Sequence, residues 1–240
     1  MSDPTFKLTT PRLTITHLLP TCPAHCEFLV TLYNTPEFLA SIGGVPTAIT
    51  TPAAARDRIA GRLHDEHLRN GYGTYLVSLR PVPTDSCSSP SSSSSSTEAN
   101  NNNATKNTNS SPATETVATM IPIGTVSLTR GTEPNCYGAP DLGFAILPQH
   151  TRRGYAREAA LALLDYADRE LGVRHVLGLF DPANEASEAV FRSIGFEDRG
   201  RRVLRVFGGV VGAVWARPGM DPDLSVYGLP TEDARGAAAV

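Results

Sequence analysis

Residues 84–117, TDSCSSPSSSSSSTEANNNNATKNTNSSPATETV, cut the chain in two. Ser, Asn and Thr dominate the run and apolar side chains are nearly absent. Such a segment cannot bury enough surface to offset the entropy of ordering it, so it reads as a disordered insertion. Whatever folds must be assembled from what lies on either side. The flanks, GYGTYLVSL (71–79) and MIPIGTVSL (120–128), are rich in branched and aromatic residues and read as strands. Closure entropy grows slowly with loop length, so the two can belong to one core. Residues 1–83 and 118–230 are then two parts of a single domain, and 231–240 a flexible tail.

The rest of the chain divides into clear elements. PRLTITHLL (11–19) is a strand and AHCEFLVTLYN (24–34) a helix. Thr51 followed by Pro52 is an N-cap with proline in the first turn, opening a helix through about Leu68. In DLGFAIL (141–147), Leu142, Phe144 and Ile146 alternate as in a strand. Ala156, Ala159, Ala160, Leu163, Leu164, Ala167 and Leu171 lie on one face of a 3.6-residue period, closed by Gly172. RHVLGLF (174–180) is a short buried-type strand. Asn184 caps a helix NEASEAVFRSIG that ends at Gly195. FEDRGRRVLRVF (196–207) and DLSVYGL (223–229) read as closing strands, with Trp215 between two glycine-rich turns, GGVVG and RPGMDPD. The fold class is mixed α/β: one sheet, with helices on both faces.

Charge and composition remove several classes. The net charge is −3, so no basic field is available to hold nucleic acid. No run of about 18 apolar residues predicts a membrane span, and MSDPTFKLTT lacks a signal-peptide core. Cys22, Cys26, Cys87 and Cys136 are scattered; Cys22 and Cys26 fit zinc spacings poorly and no second pair completes a site. The expectation is a cytoplasmic protein with free thiols and no metal. His64 and His67 are a helical turn apart, but with no third ligand near in sequence they read as a solvated face.

The turn Arg152-Arg153-Gly154-Tyr155-Ala156 stands at the mouth of the long amphipathic helix. There the first backbone N–H groups have no helical acceptor. Donors and dipole both favour an anion, and glycine lets a bulky phosphate approach. An ordinary solvated basic turn is the plain alternative. A nucleotide-phosphate enzyme is a poor fit, since neither GxxxxGK[ST] nor GxGxxG occurs in context.

The order of IPIGTVSL, DLGFAILPQHTRRGYAREAALALLDYA, DPANEASEAVFRSIGF and SVYGL, after TPRLTITHLLP, resembles the GNAT superfamily of acyl-CoA N-acyltransferases. The branch resembled is that of the ribosomal-protein N-terminal acetyltransferases. The resemblance covers most of the chain outside the insertion. It implies a mostly antiparallel sheet splayed at the coenzyme site, acetyl-CoA as co-substrate, and an amine acceptor. In that family the turn from Arg152 to Ala156 cradles the coenzyme pyrophosphate through its backbone, with Arg152 and Arg153 adding charge toward the pyrophosphate or the ribose phosphate. Thr151 replaces the Gln, Arg or Trp common at its position. The backbone of Phe144, Ala145 and Ile146 is expected to pair with the pantetheine arm, and Asn184 and Ser187 to contact it.

For the chemistry, a lysine-like amine with a pKa of roughly 10.4 must lose a proton before attack. Asp141 is the candidate base or amine anchor, and Glu133 a weaker one. Ser187 is expected near the coenzyme sulfur. Other branches place a tyrosine acid where this chain has Phe191, which has no proton to give. A non-catalytic acyl-CoA-binding or interaction module is therefore the second reading. Residues 24–70 and the final hairpin are expected to build the acceptor side. Acceptor identity and oligomeric state are not legible in the sequence.

Overall fold

The computed structural model describes residues 6–81 and 120–231. The insertion at 84–117, with Cys87, lies outside the described residues, as do all but the first residue of the 231–240 tail. Among the described residues the eight strands are β1 (Lys7–Thr9), β2 (Leu13–His17), β3 (Thr74–Leu79), β4 (Ile121–Thr129), β5 (Asp141–Ile146), β6 (Leu177–Phe180), β7 (Glu197–Leu204) and β8 (Val210–Ala216). They form one sheet in the order β1-β2-β3-β4-β5-β6-β8-β7. Every neighbouring pair is antiparallel except β5 and β6. The strands flanking the insertion pair directly, from Leu79 opposite Ile121 to Thr74 opposite Ser127. The two parts of the chain therefore share one sheet.

Side chains alternate across the strands and sort the core into three clusters. Leu142 and Phe144 of β5, Phe180 of β6 and Trp215 of β8 belong to the face covered by α5 (Tyr155–Leu171) and α6 (Glu185–Ser193), where Leu163 and Phe191 are buried. Leu76 of β3, Ala145 of β5 and the following Leu147 belong to the opposite face. Helix α1 (Pro23–Tyr33) and α3 (Pro52–Arg58) cover it there, packing Leu29, Leu32, Ala55 and Ile59. Leu177, Leu179 and Val214 lie on that same second face but in a separate cluster with Leu224 and Leu229. The boundary between these two clusters follows the line where β5 meets β6.

Local signals account for the helix ends. Thr51 Oγ1 accepts the Ala54 N–H at 3.2 Å with Pro52 in the first turn. Gly172, at φ 67°, ends α5 in the left-handed conformation that lacks a Cβ penalty. The expected helix from Pro52 runs without a break to Asn70, as α3, a π-helical turn (Ile59–Leu63) and α4 (His64–Asn70). Besides β8, the strand β1 and the helix α2 (Pro36–Ser41), capped by Thr35, were not expected.

Two expectations are corrected at the C-terminal end. DLSVYGL is not a strand: Leu224–Tyr227 form a 3-10 turn, begun by Asp223 accepting the Ser225 N–H and ended by Gly228 at φ 82°. The five residues between Pro222 and the left-handed Gly228 close into a single turn in place of a ladder. The last strand is instead Val210–Ala216, a region that reads as glycine-rich turn. Gly208 and Gly209 do turn the chain, at φ 75° and 87°. Gly212 lies inside β8, where a Cβ would collide with the Leu204 side chain. That glycine makes room for packing and does not break the strand, so Trp215 is a buried strand residue.

Candidate active site

Strands β5 and β6 share a single register pair, Asp141 with Leu177, secured by Leu177 N–H donating to the Pro140 carbonyl at 2.9 Å. Beyond it no β5–β6 ladder continues among the described residues. The Asp141 carboxylate spans the apex of this wedge, Oδ1 accepting the Leu179 N–H at 2.8 Å. Burial pushes its pKa up to about 8, against the lowering effect of that hydrogen bond.

One edge of β5 is consequently open. Leu147 N–H donates to the Ile123 carbonyl at 2.8 Å. Antiparallel alternation then turns the backbone groups of Ala145 toward Thr125 on β4 and those of Phe144 and Ile146 toward the open side. Of the three β5 residues expected to pair with an added ligand strand, two present their backbone to the wedge and Ala145 does not.

The open edge leads through a 3-10 turn, Pro148–His150, into the basic turn. Arg152 has φ 60° and Gly154 φ 78°. The left-handed conformation costs a non-glycine residue about 1 kcal/mol, so the turn holds strain at Arg152. Among the described residues, no acceptor serves the backbone N–H groups of Arg152, Arg153, Gly154, Tyr155 or Ala156, and no side chain caps α5. Arg152, Arg153 and Gly154 are exposed. Turns of mixed handedness at a helix N-terminus form concave rows of N–H donors suited to anions.

This turn is braced by residues that sequence reasoning did not assign. Arg12, just before β2, donates to the Arg153 carbonyl at 2.8 Å. Its guanidinium pairs with Glu158 in the first turn of α5 at 2.6 Å and stacks on the Tyr155 ring, 4.6 Å from its centroid. Thr10 Oγ1 donates to Glu158 at 2.5 Å and the Arg12 N–H at 3.0 Å. Burial alone would raise the Glu158 pKa, but these hydrogen bonds and the Arg12 charge bring it below the ordinary carboxylate range. No local pattern could have found the brace, because its partners lie 146 positions apart in sequence.

Across the wedge, Asn184 caps α6 by accepting the Ser187 N–H at 3.0 Å, and Asp181 accepts the Ala183 N–H at 2.8 Å. Ser187 is partly exposed in the first turn. Phe191, two turns in, is buried in the aromatic cluster of Phe144, Phe180 and Phe196. It lies against Gly178, where an added Cβ would sit within 3 Å of its ring.

The remaining candidates lie elsewhere. Glu133 is exposed in the loop before β5, where Cys136 Sγ donates to it at 3.1 Å. His67 sits 3.0 Å from the Thr74 carbonyl, its ring against those of His17 and Tyr75. Among the described residues no three His, Cys, Asp or Glu side chains group as metal ligands, and no helix is long and apolar enough to cross a membrane.

A mixed sheet opened at its one parallel pair, with a strained basic turn at the end of the opened strand, defines an acyltransferase-type α/β fold. The match to known proteins agrees. The family model described as acetyltransferase (GNAT) domain matches residues 12–197, and the chain belongs to that family. A stretch of 60 residues is 32% identical to the uncharacterized N-acetyltransferase YnaD of Bacillus subtilis (strain 168), covering 25% of this chain. The chain spans about a third (35%) of the length of that curated relative. Among solved structures, an acetyltransferase from Agrobacterium tumefaciens str. C58 is similar with TM-score 0.57 and 20% identity, over 90% of this chain and 96% of that one. The ribosomal-protein-S5-alanine acetyltransferase from Vibrio fischeri is similar with TM-score 0.56 and 14% identity, over 88% and 96%. RimL, a ribosomal L7/L12 alpha-N-protein acetyltransferase in complex with coenzyme A, is similar with TM-score 0.57 and 16% identity, over 88% and 97%. At these identities the likeness is one of fold.

Proposed function

We propose that this protein transfers an acetyl group from acetyl-CoA to a primary amine, on a small molecule or at a peptide N-terminus, by direct attack. The observation that carries the proposal is continuous: an open edge of β5, with Asp141 at its apex and a turn of unpartnered N–H donors at its end. Family membership and the coenzyme A complex of RimL support acyl-CoA as the donor.

The residues fit that donor. The N–H groups of Arg152 to Ala156, with the Arg152 and Arg153 charges, would hold the pyrophosphate. The backbone of Phe144 and Ile146 would hold the pantetheine amides, with Asn184 and Ser187 on the facing helix. Acetyl-CoA supplies a thioester carbonyl. The amine nitrogen forms the new N–C bond as the C–S bond breaks, and the sulfur leaves as a thiolate that takes up a proton. The ammonium proton passes to Asp141, directly or through water. A carboxyl with a pKa of about 8 is a far stronger base than an ordinary aspartate. It is ionised in only part of the molecules at neutral pH, so its action strengthens as pH rises through 8. Ser187 is the hydroxyl available in α6 to hold or protonate the leaving sulfur.

The second reading is an acyl-CoA-binding module without turnover, favoured by one observation: Phe191 puts a buried ring at the position where other branches of the family carry a tyrosine acid. Calorimetric titration with acetyl-CoA, beside thiol release over a panel of amines, separates them. Binding with release supports transfer. Binding without release on any amine favours the module. Absence of binding overturns both.

A further inference from the structure

We infer that the amine this protein acetylates carries its own carboxylate, held by Arg58 and Arg62 on the helical segment that runs along the polar side of β4. The inference rests on the acetyl-transfer reading above and names the class of acceptor.

The floor of the site is polar on the face away from α5. Thr125 and Ser127 of β4 stand opposite Ala145 and Gly143 of β5, and Thr129 stands opposite Asp141. Ser127 leans over Gly143 so closely that a Cβ there would lie 2.7 Å from its Oγ. Thr125 is buried, with its side chain near the Tyr33 hydroxyl at the end of α1. A row of hydroxyls therefore runs from Tyr33 along β4 to the level of Asp141.

The segment from α3 to α4 runs beside this row. Ala55, Ile59 and Leu63 take its core side. Arg58, Arg62 and Glu66 follow at spacings of four, across the π-helical turn Ile59–Leu63. A π turn is wider than an α turn, so residues four apart stay nearer one line than in a regular helix. All three lie near enough to Tyr33 for their charges to act on its hydroxyl, which burial makes harder to ionise. Glu66 is buried and already committed, Oε1 accepting the Arg130 N–H at 3.0 Å directly after Thr129. The line thus descends toward the apex.

Two cations and one committed carboxylate leave this wall electropositive. Among the described residues neither Arg58 nor Arg62 forms an ion pair. The Arg58 Nε is buried and has no hydrogen-bond partner among the described residues. A buried unpartnered guanidinium N–H is costly, and a carboxylate satisfies two such donors at once. A polyamine would bring positive charge against the same wall. The wall also favours the neutral form of a nearby amine, the form that attacks. A molecule with its amine near Asp141 and its carboxylate at Arg58 and Arg62 meets both demands; a free amino acid and an acidic peptide N-terminus share that chemistry.

The test is thiol release from acetyl-CoA with four probes: free L-amino acids, their carboxamides, short peptides acidic or basic after the first residue, and spermidine. Carboxylate-bearing probes are expected to exceed the carboxamides and spermidine by about tenfold or more in kcat/KM, the scale of a charge-assisted hydrogen bond. Preference for free amino acids over acidic peptides, or the reverse, identifies the source. Arg58→Gln and Arg62→Gln should raise KM for the carboxylate probes and narrow the gap, with acetyl-CoA affinity unchanged as the control for folding. Equal use of carboxylate and carboxamide probes, or preference for spermidine, overturns the inference while leaving acetyl transfer standing. If no probe releases thiol, acetyl transfer fails, and calorimetric binding of the same probes to the coenzyme-loaded protein reads the charge preference directly. No preference for carboxylates there overturns it too.

Discussion

Arg12 and Glu158 pair at 2.6 Å across 146 positions of sequence, tying the start of β2 to the first turn of α5. The same guanidinium holds the Arg153 carbonyl. One side chain thus fixes both the helix and the turn proposed to receive the coenzyme pyrophosphate. Arg12→Ala is expected to cost about 1 kcal/mol of stability, since a charged hydrogen bond is worth more but this guanidinium is half exposed and screened. It should also weaken acetyl-CoA binding, which Arg12→Lys restores only in part because lysine lacks the fork. Denaturant melts and calorimetry read the two effects; unchanged coenzyme affinity in Arg12→Ala would show that the brace is structural alone.

Glu158 carries a pH signature of its own. Its pKa is depressed in the folded protein, so it contributes stability above the unfolded carboxylate value and loses that contribution as pH falls through the folded one. In Glu158→Gln the stability curve below about pH 4 should be flatter than in the parent. Melting temperature against pH checks it.

At the turn proposed to hold the pyrophosphate, Arg153→Glu and Gly154→Asp should each weaken acetyl-CoA binding by more than about tenfold, through repulsion at the phosphates. Gly154→Ala separates charge from conformation, because at φ 78° any side chain is strained. Affinities equal to the parent in both charged variants would dismiss the site.

Asp141→Asn keeps an oxygen to accept the Leu179 N–H but removes the titration. Turnover should fall about a hundredfold, the usual scale for losing a general base, with little change in coenzyme affinity. The parent rate should rise with an apparent pKa of about 8 that vanishes in the variant. Stability moves the other way. Folding raises this carboxyl's pKa, so the folded state holds more protons, and stability declines as pH rises from the unfolded value, about 4, to about 8. A rate profile that keeps its shape in the variant would remove Asp141 from the chemistry.

Phe191→Tyr is not expected to restore an acid. Its ring is buried among Phe144, Phe180 and Phe196, so a hydroxyl there loses water without an evident partner, a cost of about 1–3 kcal/mol. A lower melting temperature without a faster rate is the expected pair of results.

Deleting residues 86–115 should leave cooperative melting in place, because Leu79 and Ile121 already pair at the ends of β3 and β4. Loss of the transition would make the insertion structural.

What could be read from sequence was what neighbouring residues decide. Periodicity and caps located α5 and α6, and branched residues located the strands beside the insertion. The Arg152–Ala156 turn was visible because its donors are left over by the helix that follows it. The C-terminal misreading has a local cause as well: a glycine that makes room for Leu204 resembles a glycine that turns the chain.

The parting of β5 from β6 was implied in the sequence only through family resemblance, while the order of strands and the elevated pKa of Asp141 belong to the tertiary structure alone. So do the brace from Arg12 to Glu158 and the convergence of Tyr33, Arg58 and Arg62 above β4. Each depends on which distant segment supplies a hydrogen bond or excludes water, and backbone preference over a few residues carries no information about that. The sequence by itself determined the local pieces and the turn whose donors the helix leaves over; only packing decided which carboxylate would stand at the strand junction and which arginines would form no ion pair among the described residues.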